Sequence, residues 1–201
     1  MSKQTIAIIC GGPSSEHEVS CVSAGGVLKG LDPERFDSVL IGITKTGTWV
    51  LLPNDYPLHI QNKRMPTIED NGQYVELTSS GLTLGDRVLD IDCIFPVLHG
   101  EFGEDGKIQH LLDEAEMSYV GSGVDASAQA MDKSLAKKLF SSSGMKVADG
   151  VVVNAGDWKS NTAHLTYPVF VKPSSGGSSR GTHKVKSSEA LQAAIEDALR
   201  S

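Results

Sequence analysis

The chain has 201 residues, with 18 Lys and Arg against 25 Asp and Glu, a formal net charge of −7 and 39% hydrophobic residues. An acidic protein of this kind attracts neither nucleic acid nor an anionic membrane surface without a local basic patch, so both are excluded as broad partners. No apolar run approaches the ~18–20 residues that span a bilayer, and the length suits one complete domain plus part of a second.

Thr5 to Cys10 is a short apolar run predicted as a buried strand, too brief for the core of a signal peptide. Gly11-Gly12-Pro13 then turns into a helix whose start carries Ser15 and Glu18 at capping-box spacing. Val19, Val22, Val27, Leu28 and Leu31 give that helix an apolar face, although Gly25-Gly26 weakens it by ~1 kcal/mol per glycine. Val39 to Ile43 is a second strand, consistent with a parallel β-α-β crossover. A turn at 45–48 leads to Trp49–Leu52, and 53–90 is predicted as an insertion of short strands or hairpins. Ile91 to Leu98 is the next strand, followed by an amphipathic helix on Ile108, Leu111, Leu112 and Ala115 and a short strand at Ser118–Val120.

Residues 1–125 thus read as a Rossmann-like parallel α/β domain, and 126–201 as part of a second domain. Asp132 is a good N-cap for a helix bearing Leu135, Leu139 and Phe140, stopped at Gly144. Val151–Val153 and Val169–Lys172 are predicted strands; 173–181 is a glycine/serine loop, and Thr182–Val185 returns as a hairpin. A last helix follows Ser187, and its Leu191, Ile195 and Leu199 are expected to form an exposed face if the domain is truncated. Cys10, Cys21 and Cys93 are odd in number and lack any C-x-x-C, which predicts reduced, buried thiols in a cytoplasmic protein.

Ligands of an open α/β sheet bind beyond the carboxyl ends of its strands, where Gly11–Glu18 and His99–Gly106 fall. The acids at 16 and 18 disfavour a phosphate there, and no G-x-G-x-x-G is present. Glu18 reads as the capping-box carboxylate. Glu16 is either a helix-dipole partner or a receptor for a ligand ammonium, and His99 is either satisfied by backbone or functional. Glu104 and Asp105 read as caps of the next helix. Lys172 leads into Pro173-Ser174-Ser175-Gly176-Gly177-Ser178-Ser179-Arg180-Gly181, which suits either a phosphate cradle or a flexible linker. Lys133, Lys137 and Lys138 form a solvated face on pattern alone. Histidines 17, 59, 110, 164 and 183 show no ligand spacing.

Taken together, Gly11-Gly12-Pro13-Ser14-Ser15-Glu16-His17-Glu18-Val19-Ser20, Phe95-Pro96-Val97-Leu98-His99-Gly100 with Gly103-Glu104-Asp105-Gly106, Tyr119-Val120-Gly121-Ser122-Gly123, Ala130-Met131-Asp132-Lys133, and Phe170-Val171-Lys172-Pro173 with Gly177-Ser178-Ser179-Arg180-Gly181 resemble the D-alanine-D-alanine ligases. The resemblance implies an ATP-grasp enzyme, with ATP and Mg²⁺ as cofactors, that joins two D-alanine molecules through an acyl phosphate for peptidoglycan synthesis. Glu16 then matches the receptor of the first D-alanine's ammonium, and His99 a residue near its carboxylate. Lys133 and Lys172 match the lysines on the ATP phosphates. Gly177, Ser178, Ser179 and Gly181 match the loop over them, and Ser178 also a serine linked to the Glu16 site.

Arg180 departs from the small apolar residue common in that loop. The resemblance also implies a homodimer, and it places the acceptor site, a catalytic arginine and the ligands of two magnesium ions beyond residue 201. On this reading the parent is a ligase and the 201-residue chain a largely inactive fragment. A D-alanine-D-lactate ligase and a non-catalytic small-ligand or dimerisation module are the competing expectations.

Overall fold

The computed structural model describes residues 2–200, which fold as two compact units divided between Ala128 and Gln129. In the first, β1 (Gln4–Gly11) lies at the centre of a sheet with β2 (Phe36–Ile43) on one side and β7 (Cys93–Pro96) on the other, both parallel to it. β3 (Trp49–Leu52) adds antiparallel to β2, giving the order β3-β2-β1-β7. The expected strand at 118–120 is reduced to one parallel bridge, Ile94 to Tyr119.

The unbroken apolar run of β1 is explained by cover on both faces of the sheet. Ile6, Ile8 and Cys10 pack with Cys21 and Ala24 of α1 (His17–Gly30) and with Leu58 and Ile68. Ala7 and Ile9 face the other way, onto Ile108 and Leu112 of α2 (Lys107–Glu114) and onto Val75 and Leu82. Those last two belong to an antiparallel meander, β4 (Val75–Thr78), β5 (Gly81–Leu84) and β6 (Arg87–Val88). The hairpins expected within 53–90 are therefore present after residue 74. Before it, the chain runs as an irregular strap with an exposed tip, where Gln61 and Arg64 bridge around Asn62 and Lys63.

Gly25 does more than weaken its helix. A β-carbon there would lie 2.3 Å from the Leu58 carbonyl oxygen, so the strap approaches α1 only because the side chain is absent, whereas Gly26 faces open space. Gly42 does the same for Ile68, whose Cγ2 would sit 2.5 Å from a β-carbon.

The second unit begins within α3 (Val124–Met131), a helix the apolar spacing did not signal. It contains α4 (Lys133–Ser142), α5 (Trp158–Thr162), a hairpin of β8 (Val169–Val171) and β9 (His183–Val185), and α6 (Leu191–Ala198) after a single 3₁₀ turn. Two expectations are corrected. Val151–Val153 forms no strand, since no partner pairs with it and Val152 is exposed. Leu191 and Ile195 are not an exposed face but pack with Val185 and Ala194 against Val169, Val171 and Trp158; only Leu199 remains outside. Cys10 and Cys21 are free and buried, and Cys93 is half-buried.

The contrast at the paired glycines is testable. Gly25→Ala should lower unfolding stability by about 1–3 kcal/mol through overpacking against Leu58, while Gly26→Ala should leave it unchanged or raise it by up to ~1 kcal/mol. Urea denaturation of the two variants reads the difference.

Candidate functional site

The end of β1 and the end of β7 are neighbours because the two strands pair from Ile6–Cys93 to Ile9–Pro96. This brings the turn after β1 and the loop after β7 to one place. Gly11 and Gly12 both have positive φ, near 91° and 94°, and the Gly12 N–H donates to the Ile43 carbonyl at 2.8 Å. A side chain at Gly11 is barred on steric grounds as well, since a β-carbon would lie 2.3 Å from that same carbonyl oxygen.

Ser14 links the two loops: its hydroxyl donates to the His99 carbonyl at 2.8 Å and accepts the Glu16 N–H at 3.1 Å. The capping box expected from Ser15 and Glu18 is absent. Helix α1 starts at His17, with Glu16 in the capping position and no side-chain cap bond. Glu18 instead pairs with Lys45, whose hydrogen bond holds its carboxyl below the usual range. The sequence cannot distinguish Ser14 from Ser15 as the local acceptor; the turn geometry decides it.

Glu16 and His99 stand on the two loops that Ser14 joins. A β-carbon on Gly100 would lie 2.6 Å from Glu16 Oε2, so the carboxylate sits directly over the buried Gly100 backbone. His99 shares a hydrogen bond through Nε2 with the Ser23 hydroxyl of α1 at 3.0 Å, and its Nδ1 lies 3.9 Å from Glu104 Oε1. The other oxygen of Glu104 accepts the Gly100 N–H at 2.9 Å. Glu104 thus turns back to the site instead of capping the next helix. Helix α2 starts after Gly106 without a side-chain cap, and Asp105 accepts the Phe102 and Lys107 amides at 3.1 and 3.2 Å. Burial pushes its carboxyl up, but those amides and the Lys107 ammonium outweigh it and hold the carboxyl low.

The floor of this site is Ser20, fully buried, which accepts the Gly11 N–H at 2.8 Å and donates to the Val97 carbonyl. His17, beside Glu16, is fully buried too. Its Nε2 accepts the Ile68 N–H at 3.0 Å, so its Nδ1 carries the proton donated to the Gly12 carbonyl at 2.8 Å. Spacing gave no reason to single out this residue, because its partners are backbone atoms.

The second unit gathers the other predicted residues. Asp132 caps α4 as expected, accepting the Ser134 and Leu135 amides at 2.8 and 3.1 Å, and also accepts the Ser174 hydroxyl at 3.0 Å. Lys133 is not merely part of a solvated face. Its N–H donates to the Ser174 carbonyl at 2.9 Å, and its ammonium to the Gly176 carbonyl at 2.7 Å. Burial first, and then the charge of Lys172, lower its pKa. Lys172 follows β8, and its ammonium and that of Lys184 lie 5.9 and 6.0 Å from the centre of the Phe170 ring.

Between the strands, Gly177, Ser178, Ser179 and Gly181 form two successive turns, closed by Arg180 N–H to Gly177 O at 3.2 Å and Thr182 N–H to Ser179 O at 3.1 Å. Ser178 and Ser179 both hold positive φ, near 50° and 56°. The loop is therefore a defined structure and not a linker. Two ammoniums whose charges repel, one of them bonded to the Gly176 carbonyl, are a fitting seat for an anionic group, whose charge would relieve that repulsion. Among the described residues no three His, Cys, Asp or Glu side chains are grouped to hold a metal, so this donor set does not fit the two magnesium ions that the resemblance implies. No helix of the described residues is long and apolar enough to cross a membrane.

Residues 5–122 match the family model described as D-ala D-ala ligase N-terminus, and 139–201 that described as D-ala D-ala ligase C-terminus. The D-alanine--D-alanine ligase of Mycolicibacterium vanbaalenii is 45% identical over 210 residues, covering 97% of this chain and 57% of the relative. That of Rhodococcus opacus is 46% identical over 212 residues, with the same shares. The crystal structure of the VanG D-Ala:D-Ser ligase from Enterococcus faecalis superposes with a TM-score of 0.85 at 36% identity, covering 99% of this chain and 60% of that one. The D-alanine-D-alanine ligase from Coxiella burnetii gives 0.82 at 28%, covering 98% and 61%.

The neighbours place the fold among α/β proteins of the ATP-grasp class. The chain belongs to the D-alanine-D-alanine ligase family. It spans a little over half the length of the curated relatives it matches.

Two measurements check these local structures. Ser20→Ala strands the Gly11 N–H and the Val97 carbonyl without water, and should cost about 1–3 kcal/mol in urea unfolding. Asp132 has its carboxyl held low by the Leu135 amide, the Ser174 hydroxyl and the Ser134 amide. Its folded-state pKa is thus below its unfolded value, so its stabilisation is complete above the ordinary carboxylate range of about 3.9 and is lost as pH falls through the lowered value. Asp132→Ala should therefore melt at a lower temperature than the parent at pH 7, with the gap closing in acid.

Proposed function

We propose that this chain binds D-alanine and ATP as part of an ATP-dependent ligation of two D-alanine molecules for peptidoglycan precursor synthesis. The observation that carries the reading is the meeting of the Glu16 turn and the His99 loop, which Ser14 joins and which sets the Glu16 carboxylate over the Gly100 backbone. A carboxylate beside an imidazole is a receptor for a small zwitterion: Glu16 takes the ammonium of the first D-alanine and His99 steadies its carboxylate. Holding the amino acid by both ends leaves one carboxylate oxygen to react.

Lys133 and Lys172 take the phosphates of ATP, and the Gly177–Gly181 loop covers them. Bound ATP supplies the phosphoryl group that turns a poor acyl donor, the carboxylate, into an acyl phosphate, with ADP as the leaving group. The amine of the second D-alanine then attacks the carbonyl carbon, the C–O bond to phosphate breaks, and the amine loses a proton, giving dipeptide and phosphate. What these residues contribute is position and charge, the principal requirement of phosphoryl transfer. The full ligase acts as a homodimer, and residues outside this chain supply the metal ligands and the acceptor site.

Calorimetric titration of the chain with D-alanine and with a non-hydrolysable ATP analogue tests the proposal. Both should bind. Glu16→Gln should weaken D-alanine, and Lys133→Ala or Lys172→Ala the nucleotide, by about tenfold or more, the scale of a lost charge-assisted contact. Nucleotide affinity unchanged in both lysine variants, or D-alanine affinity unchanged in Glu16→Gln, would overturn the corresponding assignment.

A further inference from the structure

The residue next to Glu16 occupies a more constrained position than Glu16 itself. His17 is fully buried, with both ring nitrogens engaged by main-chain groups from different parts of the first unit. Nδ1 reaches back to the Gly12 carbonyl at 2.8 Å, across the turn that carries Ser14 and Glu16. Nε2 accepts the Ile68 N–H at 3.0 Å, from the strap that precedes the meander. A backbone amide can only donate, so Nε2 is the acceptor and a single tautomer satisfies both partners.

The surroundings are close-fitted to that ring. A β-carbon on Gly11 would lie 3.0 Å from His17 Cε1 and equally close to Ile68 Cγ1, and Ile68 in turn fills the space above Gly42. The turn on which Glu16 sits is therefore held from beneath by Ser20 and from the side by His17.

We infer that His17, as the Nδ1–H imidazole, is the positioning residue of Glu16: it clamps the Gly11–Glu16 turn to the Ile68 strap and thereby sets where the Glu16 carboxylate stands over Gly100. This rests on the reading of Glu16 as the ammonium receptor. Helix α1 begins at His17, so the backbone that carries the carboxylate and the backbone that carries the clamp are consecutive. A shift of the ring moves Glu16 directly. The strap acquires a role in ligand recognition without contributing a side chain to the ligand.

Two substitutions separate a positioning role from simple packing. His17→Phe keeps a planar ring but leaves the Gly12 carbonyl and Ile68 N–H unpaired in the interior, whereas His17→Gln keeps one donor and one acceptor on a planar group. Long-range ¹H–¹⁵N correlation on histidine-labelled chain should show one imidazole fixed with Nδ1 protonated and Nε2 bare, absent from the spectrum of His17→Gln. The Ile68 amide should exchange slowly in the parent and His17→Gln and rapidly in His17→Phe. D-alanine affinity, measured by calorimetry, should fall about tenfold or more in His17→Phe and recover most of the parent value in His17→Gln.

An imidazole protonated at Nε2 overturns the inference, as does parent-like D-alanine binding by His17→Phe with a rapidly exchanging Ile68 amide. If His17→Phe does not fold, the tautomer in the parent and the affinity and Ile68 exchange of His17→Gln decide the matter, a fixed Nδ1–H form with both retained supporting the clamp. If the parent does not bind D-alanine, or Glu16→Gln binds it equally well, the reading of Glu16 fails. The clamp is then judged by the tautomer and the Ile68 exchange alone.

Discussion

The carbonyl oxygen of Ile43 stands where a side chain on Gly11 would have to go, and it accepts the N–H of Gly12. The end of β1 is thereby tied to the end of β2 through a turn that only glycine can make, with two successive residues at positive φ. Everything on the ligand side of the first unit is arranged from that turn. Ser14 bridges to the loop after β7, Glu16 comes to rest on Gly100, and the first turns of α1 place Ser20 beneath and Ser23 against His99.

Elements whose order comes from burial on both sides are readable in the amino-acid sequence. β1 is an unbroken apolar run because helices and the meander cover its two faces, and Leu112 and Ile108 mark α2 because they are its apolar residues buried in the core. Val151–Val153 shows the limit of the same signal. Three β-branched residues favour extended backbone, but a strand is made by a partner, and none is paired to them. The strap between 53 and 70 was illegible for the opposite reason. Its order resides in main-chain atoms, Leu58 O against Gly25 and Ile68 N–H on His17, which leave no periodicity to detect.

The site itself was legible unequally. Spacing left Glu16 and His99 each with a bland alternative, and only the family resemblance paired them; their meeting follows from β1 and β7 being neighbours, which sequence distance conceals. Lys133 looked like one of three surface lysines on α4. Its difference lies in geometry, since Lys137 donates to the Ala148 carbonyl nearby while Lys133 reaches the loop after β8. Asp132 joins these facts: one carboxylate holds the start of α4 and, through Ser174, the loop whose Gly176 Lys133 engages. The helix start and the glycine/serine loop are thus one mechanical piece within the second unit.

The strap's two anchors lie at Leu58 and Ile68, while its tip at Asn62 and Lys63 is exposed and closed by the short bridge from Gln61 to Arg64. Chain between two fixed points can be lengthened without moving either, because loop closure penalties grow slowly with length. The tip is accordingly a natural port of the molecule: a tag, a fluorophore-bearing peptide or a cleavage site inserted between 62 and 63 would report on the strap from within, with the turn that carries Glu16 left in place.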